Sequence, residues 1–131
     1  ENTTSNRSWT LAVEATDVVQ FQYSTDGGLG TLATVSGATT LSSGVWYHIA
    51  VDRDSNDDIR VYLDGVQDGN SNFSGSFFNA ATELGIGART NVTGTGLPMT
   101  GNIDSVRVTK GVARYATPIS FVPPSRPFPW R

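Results

Sequence analysis

The chain has 131 residues, a formal net charge of −3 and no cysteine. This length suits one domain with a hydrophobic core, and the absence of cysteine excludes disulfides, thiolate metal sites and cysteine nucleophiles. The acidic balance leaves no basic stripe for a phosphate backbone, so nucleic acid is not expected as a partner. No apolar run approaches the roughly 20 residues that a membrane-spanning helix needs.

Alternating apolar and polar residues predict an all-β protein. Only 16% of the residues are charged, and glycine, serine, threonine and asparagine are abundant, which is typical of short strands joined by turns. Glycine, asparagine, aspartate and proline residues separate the alternating stretches, and they predict loops at residues 25–28, 54–58, 64–65 and 91–98. The predicted strands cover residues 9–14, 18–23, 31–35, 45–52, 59–63, 83–86 and 103–109.

The stretch GVWYHIAVDRDSNDDIRVYLDG, residues 44–65, contains the single histidine of the chain. Its two alternating runs predict an antiparallel hairpin with Val51 opposite Ile59, which puts Ile49, Val61 and Leu63 on a core-facing side. The aspartates between the two runs are expected to build the turn, because their side chains readily bond nearby backbone amides.

The opposite side of this hairpin is aromatic and polar, and it supplies the candidate ligand-binding residues Trp46, His48, Arg60 and Tyr62. We expect Trp46 to pack against other residues, although an exposed tryptophan also offers a platform for a sugar ring. His48 has no nucleophile and no third orienting group in a recognisable pattern, so a structural role is expected rather than catalysis. The sequence leaves open whether this side is free or covered by loops.

The last fifteen residues, TPISFVPPSRPFPWR, are rich in proline and are expected to run extended. Two parts follow from this pattern: a folded domain over residues 1–121 and a proline-rich tail or linker over residues 122–131.

Together, three segments resemble laminin-G-like domains of the concanavalin A-like lectin/glucanase superfamily. In residues 44–66 the resemblance rests on a tryptophan, a His-x-Ala strand and a Tyr-x-Asp-Gly strand; LGIGA (84–88) and MTGNIDSVRVTKGVARY (99–115) are similar to the family's last strands. The closing residues 108–129 are similar to versions of the domain in tailed-phage structural proteins. The resemblance implies a jelly-roll sandwich of two antiparallel sheets. The family's usual first strands are not recognisable, so we expect them to be missing or supplied by a neighbouring chain.

The resemblance implies no particular activity, because this fold carries many functions. Glycosidases of the superfamily use paired glutamates in one strand motif, whereas Glu1, Glu14 and Glu83 lie far apart here, so the chain is predicted not to be an enzyme. The predicted function is a structural or adhesive module of a phage virion, with glycan binding as an additional prediction; the alternative is a carbohydrate-binding module of a secreted or cell-surface bacterial protein.

These functions imply a virion or the cell exterior as the location, and other virion proteins, copies of the chain itself or glycans as partners. Related folds also hold a structural calcium ion through an aspartate of the Ile-Asp strand, which corresponds to Asp104. One carboxylate is weak support for calcium, and the preferred interpretation is that Asp104 caps a loop or bonds backbone amides.

Overall fold

The computed structural model describes residues 6–88, 98–115, 120–126 and 128. Within these ranges the chain forms six β-strands and no helix, which confirms the predicted all-β class. In the same ranges, no helix is long and apolar enough to cross a membrane. The strands are β1 (Trp9–Val13), β2 (Val19–Tyr23), β3 (Ala33–Ser36), β4 (Ile49–Arg53), β5 (Asp58–Leu63) and β6 (Val66–Asn72).

The strands form two three-stranded antiparallel sheets, ordered β1-β2-β3 and β4-β5-β6. One face of each sheet supplies the core, because alternate residues of a strand point to the same side. The two faces meet in a cluster of buried side chains contributed by β2, β3 and β5: Val19, Phe21, Tyr23, Val35, Ile59, Val61 and Leu63. This arrangement is the sandwich that the sequence predicts.

The two sheets approach most closely where β3 packs against β6. A side chain added at Gly69 of β6 would lie 2.1 Å from the Ser36 carbonyl oxygen, so this contact requires glycine. Beside it, Asp68 is the extra residue of a β-bulge in the β5–β6 pairing, and its carboxylate accepts hydrogen bonds from the Thr39 amide and hydroxyl. The bulge thus ties β6 to the loop that follows β3.

The β4–β5 hairpin has its predicted faces but a different register. Val51 pairs with Val61 and not with Ile59, because the ladder extends to Arg53 before the chain turns. The turn closes between Asp54 and Asp58: the Asp54 amide donates to the Asp58 carbonyl at 3.0 Å. A shift of two residues leaves every side chain on its predicted face, since the side-chain period of a strand is two.

Asp64 and Gly65 form the two-residue turn that joins β5 to β6. Their φ angles are +49° and +82°, the left-handed conformation at both central positions that a tight hairpin of this twist requires. The predicted loop at 64–65 is therefore confirmed, whereas β6 itself was not predicted, because its sequence VQDGNSN is mostly polar and contains a glycine.

Two predicted strands are wrong in this structure. Residues 83–86 form no strand: Gly85 and Gly87 flank Ile86, and Gly87 has a φ of +80°. Residues 103–109 also form no strand, because Ser105 has a φ of +55°, which breaks the extended run. Residues 45–48 were expected within β4 but precede it, and of the predicted 91–98 loop only Pro98 lies within the described residues.

Candidate functional site

The polar side of the β4-β5-β6 sheet is covered by a segment from the C-terminal part of the chain. Tyr62, at the centre of this side, has no exposed surface. Tyr115 and Phe121 lie over it and stack on each other, with 3.7 Å between ring centroids and 7° between ring planes. We call this arrangement the covered face and define it by His48, Asp52, Tyr62, Tyr115 and Phe121.

Apart from the stacked pair of Tyr115 and Phe121, the aromatic rings of the covered face meet edge to face. The Tyr62 ring lies 5.8 Å from Tyr115 and 5.3 Å from Phe121, and His48 contacts Phe121 at 5.5 Å with an angle of 78°. Such T-shaped pairs are favourable because the positive edge of one ring meets the negative face of the other. The single histidine therefore packs against an aromatic ring.

Hydrogen bonds attach the covering residues to the sheet. The Tyr62 hydroxyl donates to the Tyr115 carbonyl at 2.9 Å, and the Tyr115 amide donates to Asp52 Oδ2 at 2.8 Å. The Phe121 amide donates to the Gly65 carbonyl at 2.7 Å, beside an antiparallel bridge between Val66 and Ser120. These contacts answer the question that the sequence left open: this side of the sheet is covered.

Two polar atoms of the covered face are buried with no hydrogen-bond partner among the described residues: His48 Nδ1 and Asp52 Oδ1. Burial raises the pKa of the Asp52 carboxyl above its ordinary value, while the bond from the Tyr115 amide and the charge of Arg60 act in the opposite direction. The His48 Nδ1 atom is therefore not paired with a carboxylate among the described residues.

Arg60, another predicted ligand-binding residue, is held by two carboxylates. Its guanidinium contacts Asp54 Oδ2 at 2.8 Å and Asp58 Oδ2 at 2.7 Å. The hydrogen bond from Arg60 to Asp54 lowers the pKa of the Asp54 carboxyl below its ordinary value. The other Asp54 oxygen accepts bonds from the amides of Asn56 and Asp58, which is the turn-building role predicted for these aspartates.

Trp46 lies apart from the covered face, in the loop before β4. Its side chain is 67% exposed, so the expectation that it packs against other residues is wrong. The reason is local: Gly44 has a φ of +78°, and β4 begins only at Ile49, so Trp46 sits on a loop and not on the sheet. Two residues after Trp46, the His48 amide donates to Asp64 Oδ1 at 2.8 Å and so attaches the loop to the turn between β5 and β6.

Asp104, the predicted calcium ligand, lies in an exposed segment, and its Oδ1 accepts a bond from the hydroxyl of Ser105 at 3.1 Å. No group of three or more aspartate, glutamate or histidine side chains that could hold a metal ion occurs among the described residues. Calcium prefers six to eight oxygen ligands, so the Asp104 carboxylate alone does not make a site. A calcium site there stays a prediction from the resemblance.

The four predicted ligand-binding residues are thus divided among three environments. His48 and Tyr62 belong to the covered face, Arg60 is held by carboxylates beside it, and Trp46 projects from a loop. Sequence reasoning did not identify Tyr115 and Phe121 as part of the site. In the sequence they are two aromatic residues on either side of a stretch that lacks the alternation of a strand. This pattern does not indicate which face of the protein they cover.

No curated protein and no solved structure matches the chain. A laminin G family model, described as the concanavalin A-like lectin/glucanases superfamily, matches residues 1–116. That match spans most of the 131 residues and agrees with the two antiparallel sheets. The chain therefore belongs to the concanavalin A-like lectin/glucanases superfamily.

Proposed function

We propose that the chain is a non-enzymatic adhesive module that binds glycans through the exposed ring of Trp46. The observation that carries the proposal is the position of this ring: it projects from a loop, while the aromatic rings on the outer side of the neighbouring sheet are covered. An exposed indole offers a flat apolar surface on which the C–H face of a sugar ring can stack. Membership of a superfamily that includes lectins supports the same function.

The loop around Trp46 is suited to hold the indole in one orientation. The Ser42 amide donates to the Tyr47 hydroxyl at 3.0 Å, which closes the loop across Trp46, and the His48 amide donates to Asp64, which attaches the loop to the turn between β5 and β6. A platform that is ordered before binding loses less conformational entropy when a ligand arrives.

The absence of catalysis is part of the proposal. Glycoside hydrolysis needs two carboxyl groups at a fixed separation across the scissile bond. Glu14 follows β1, and Glu83 lies after β6 in a segment that forms no strand, so the two do not share a strand motif. Binding without cleavage requires only the aromatic platform and nearby polar groups.

The setting of the module is a finer proposal. A structural part of a phage virion, in contact with other virion proteins or with copies of itself, is supported by the similarity of the closing residues to phage structural proteins. The alternative, a carbohydrate-binding module of a secreted or cell-surface bacterial protein, needs the same Trp46 platform. Both settings place the chain on a virion or outside a cell, and nucleic acid is not among the proposed partners.

A glycan array with the purified protein, followed by titration of the best ligand, tests the function. We expect Trp46→Ala to weaken that binding by at least about fivefold, because the comparable stacking of a nucleic-acid base on an aromatic side chain contributes on the order of 1–3 kcal/mol, and about 1.4 kcal/mol is tenfold. Val45→Ala is the matched control: Val45 is the neighbouring residue and is 55% exposed, but it has no ring. An array without binding, or equal affinities for the Trp46→Ala variant and the wild type, would refute the proposal.

A further inference from the structure

The loop that carries Trp46, residues 38–48, is held by hydrogen bonds to aspartates. In the described structure its amides bond to three of them, one on each of three neighbouring elements. These bonds run from the Thr39 amide to the Asp68 carboxylate at 3.1 Å, from the Leu41 amide to the Asp17 carbonyl at 2.7 Å and from the His48 amide to the Asp64 carboxylate at 2.8 Å. The turn between β1 and β2, the turn between β5 and β6, and β6 itself thus each bring an acidic residue to the loop.

The charges of these aspartates are not balanced by a bonded cation. The ion pairs found among the described residues join Arg53 and Arg60 to other aspartates, around the turn between β4 and β5. The loop itself has the sequence ATTLSSGVWYH, which contains no lysine, arginine, aspartate or glutamate. A ligand that stacks on Trp46 therefore approaches a negative potential, and the loop offers no cation of its own to offset that potential.

The polar groups that the loop presents to solvent are hydroxyls. Three side chains that carry them are exposed: Thr40, Ser42 and Ser43. A hydroxyl can both donate and accept a hydrogen bond, as the hydroxyls of a sugar also do. Leu41 and Tyr47 of the same loop pack against the core, whereas Trp46 projects outwards. The outer side of the loop thus combines an apolar ring with neutral hydrogen-bonding groups.

We propose that the ligand of the Trp46 platform is a neutral saccharide, and that the aspartates around the loop select against saccharides with carboxylate or sulfate groups. This inference rests on the proposed function, because it specifies the ligand class of the same site. Specificity can come from a repulsive element as well as from an attractive one, and a like charge without a partner is such an element. Asp64 and Asp68 then have two effects: they hold the loop through its amides and they repel anions.

Matched oligosaccharides test the ligand class with the purified full chain. Neutral oligosaccharides are compared with the same compounds oxidised at C6 to hexuronic acids and with the methyl esters of those acids, first on an array and then by titration. At about 20 mM salt we expect the acids to bind at least about fivefold more weakly than the neutral forms, and the esters to bind like the neutral forms. At about 500 mM salt the difference should become smaller, because salt screens exposed charges.

The variant Asp64→Asn tests whether a particular carboxylate causes the selectivity. Asp64 has a φ of +49°, a conformation that asparagine tolerates, and the amide oxygen of asparagine can still accept the bond from His48. At a separation on the order of 10 Å in water, removal of one like charge strengthens binding of an anion by about twofold. We therefore expect Asp64→Asn to bind the acids about twofold more tightly, with unchanged affinity for the neutral forms.

The matched control is Asp57→Asn, which changes the net charge of the chain by the same amount. Asp57 also has a positive φ, +66°, but it lies in the turn before β5, whereas Asp64 lies in the turn after it. The length of β5, roughly 20 Å, separates the two turns and exceeds the screening length of about 8 Å at physiological salt. We expect this variant to bind both the acids and the neutral forms as the wild type does.

The possible results separate this inference from the proposed function. If Trp46→Ala weakens binding but the acids bind the wild type as tightly as the neutral forms, the platform is correct and its selectivity for neutral saccharides is overturned. An equal gain for Asp57→Asn and Asp64→Asn would overturn the role of the aspartates around the loop. If no oligosaccharide binds, the proposed function and this inference fail together.

Discussion

Tyr62 is the residue on which the covered face depends most directly. Its side chain is completely buried, and its hydroxyl donates to the Tyr115 carbonyl at 2.9 Å. Tyr62→Phe keeps the ring contacts but leaves this carbonyl without its donor. Because an unsatisfied buried acceptor costs more than a solvated one, we expect the free energy of unfolding to fall by about 1–2 kcal/mol, measured by urea denaturation.

Tyr47→Phe provides the control for that measurement. The Tyr47 hydroxyl also takes part in one hydrogen bond, accepting from the Ser42 amide at 3.0 Å, but that bond is exposed and water can replace it. We expect a loss of less than about 0.5 kcal/mol for this variant. Equal losses for the two variants would mean that the covering segment does not exclude water from Tyr62.

At the level of single residues, burial was predicted well for the core and poorly for the other side of the sheet. Val61 and Leu63 alternate with polar neighbours, so their burial follows from the strand period alone. The burial of Tyr62 depends on Tyr115 and Phe121, which are more than fifty residues away in sequence. No local pattern contains that information, and the same holds for the exposure of Trp46, which follows from where β4 begins.

Among the elements, the turn at Asp64 and Gly65 links the β5–β6 hairpin to Phe121, one of the two residues that cover Tyr62. Gly65 has a φ of +82°, and an added Cβ would lie 2.0 Å from the Phe121 carbonyl oxygen. Gly65→Ala therefore combines backbone strain with a collision against main chain. We expect a loss of more than about 2 kcal/mol, together with faster hydrogen exchange of the Phe121 amide, whose acceptor is the Gly65 carbonyl.

Gly44→Ala separates the two causes. Gly44 has a similar φ of +78°, but nothing lies within 4 Å of the position that its Cβ would take. This variant should show the backbone strain alone, about 1 kcal/mol, with unchanged exchange at Phe121. If both variants lose the same free energy, the close approach of the covering segment to Gly65 contributes nothing to stability.

The elements could be predicted where apolar alternation and turn residues agree. The strands β1, β2 and β5 were located to within one residue at each end, and the Asp64–Gly65 turn follows from its two residue types. The strand β6 was missed because what holds it is pairing with β5 and the Asp68 bulge, not its own apolar pattern. Residues 103–109 show the reverse case: they have the alternation of a strand but no strand beside them in the described structure.

At the scale of the whole molecule, the end of the β4–β5 hairpin holds the ion pairs of two arginines. Arg53 pairs with Asp57 at 2.5 Å and lies over the rings of Phe73 and Phe77 at the edge of the core. Arg60 pairs with Asp54 and Asp58 on the other side of the same hairpin. The ion pairs of Arg53 and Arg60 thus lie around one turn, so acid is expected to act on the fold through this region.

The decrease in the free energy of unfolding at acid pH, here called the acid limb, tests this expectation. The bond from Arg60 holds the pKa of Asp54 below its ordinary value of 3.8, so the folded protein binds fewer protons at this carboxyl than the unfolded chain does. Stability from Asp54 is therefore fully present above pH 3.8 and is lost as the pH falls through the lowered pKa. We expect Asp54→Asn to lose less free energy of unfolding than the wild type between pH 5 and about pH 2.

The cause of the lowered pKa can be tested with Arg60→Gln. Removing the guanidinium takes away the first cause of the shift but leaves the bonds from the Asn56 and Asp58 amides, so the acid limb of this variant should lie between those of the wild type and Asp54→Asn. The double variant should then be no flatter than Asp54→Asn, because that single change already removes the whole contribution of the carboxyl. Urea denaturation at each pH measures all four proteins. If the acid limb of Arg60→Gln is as steep as that of the wild type, the ion pair at the turn does not carry the acid sensitivity of the fold.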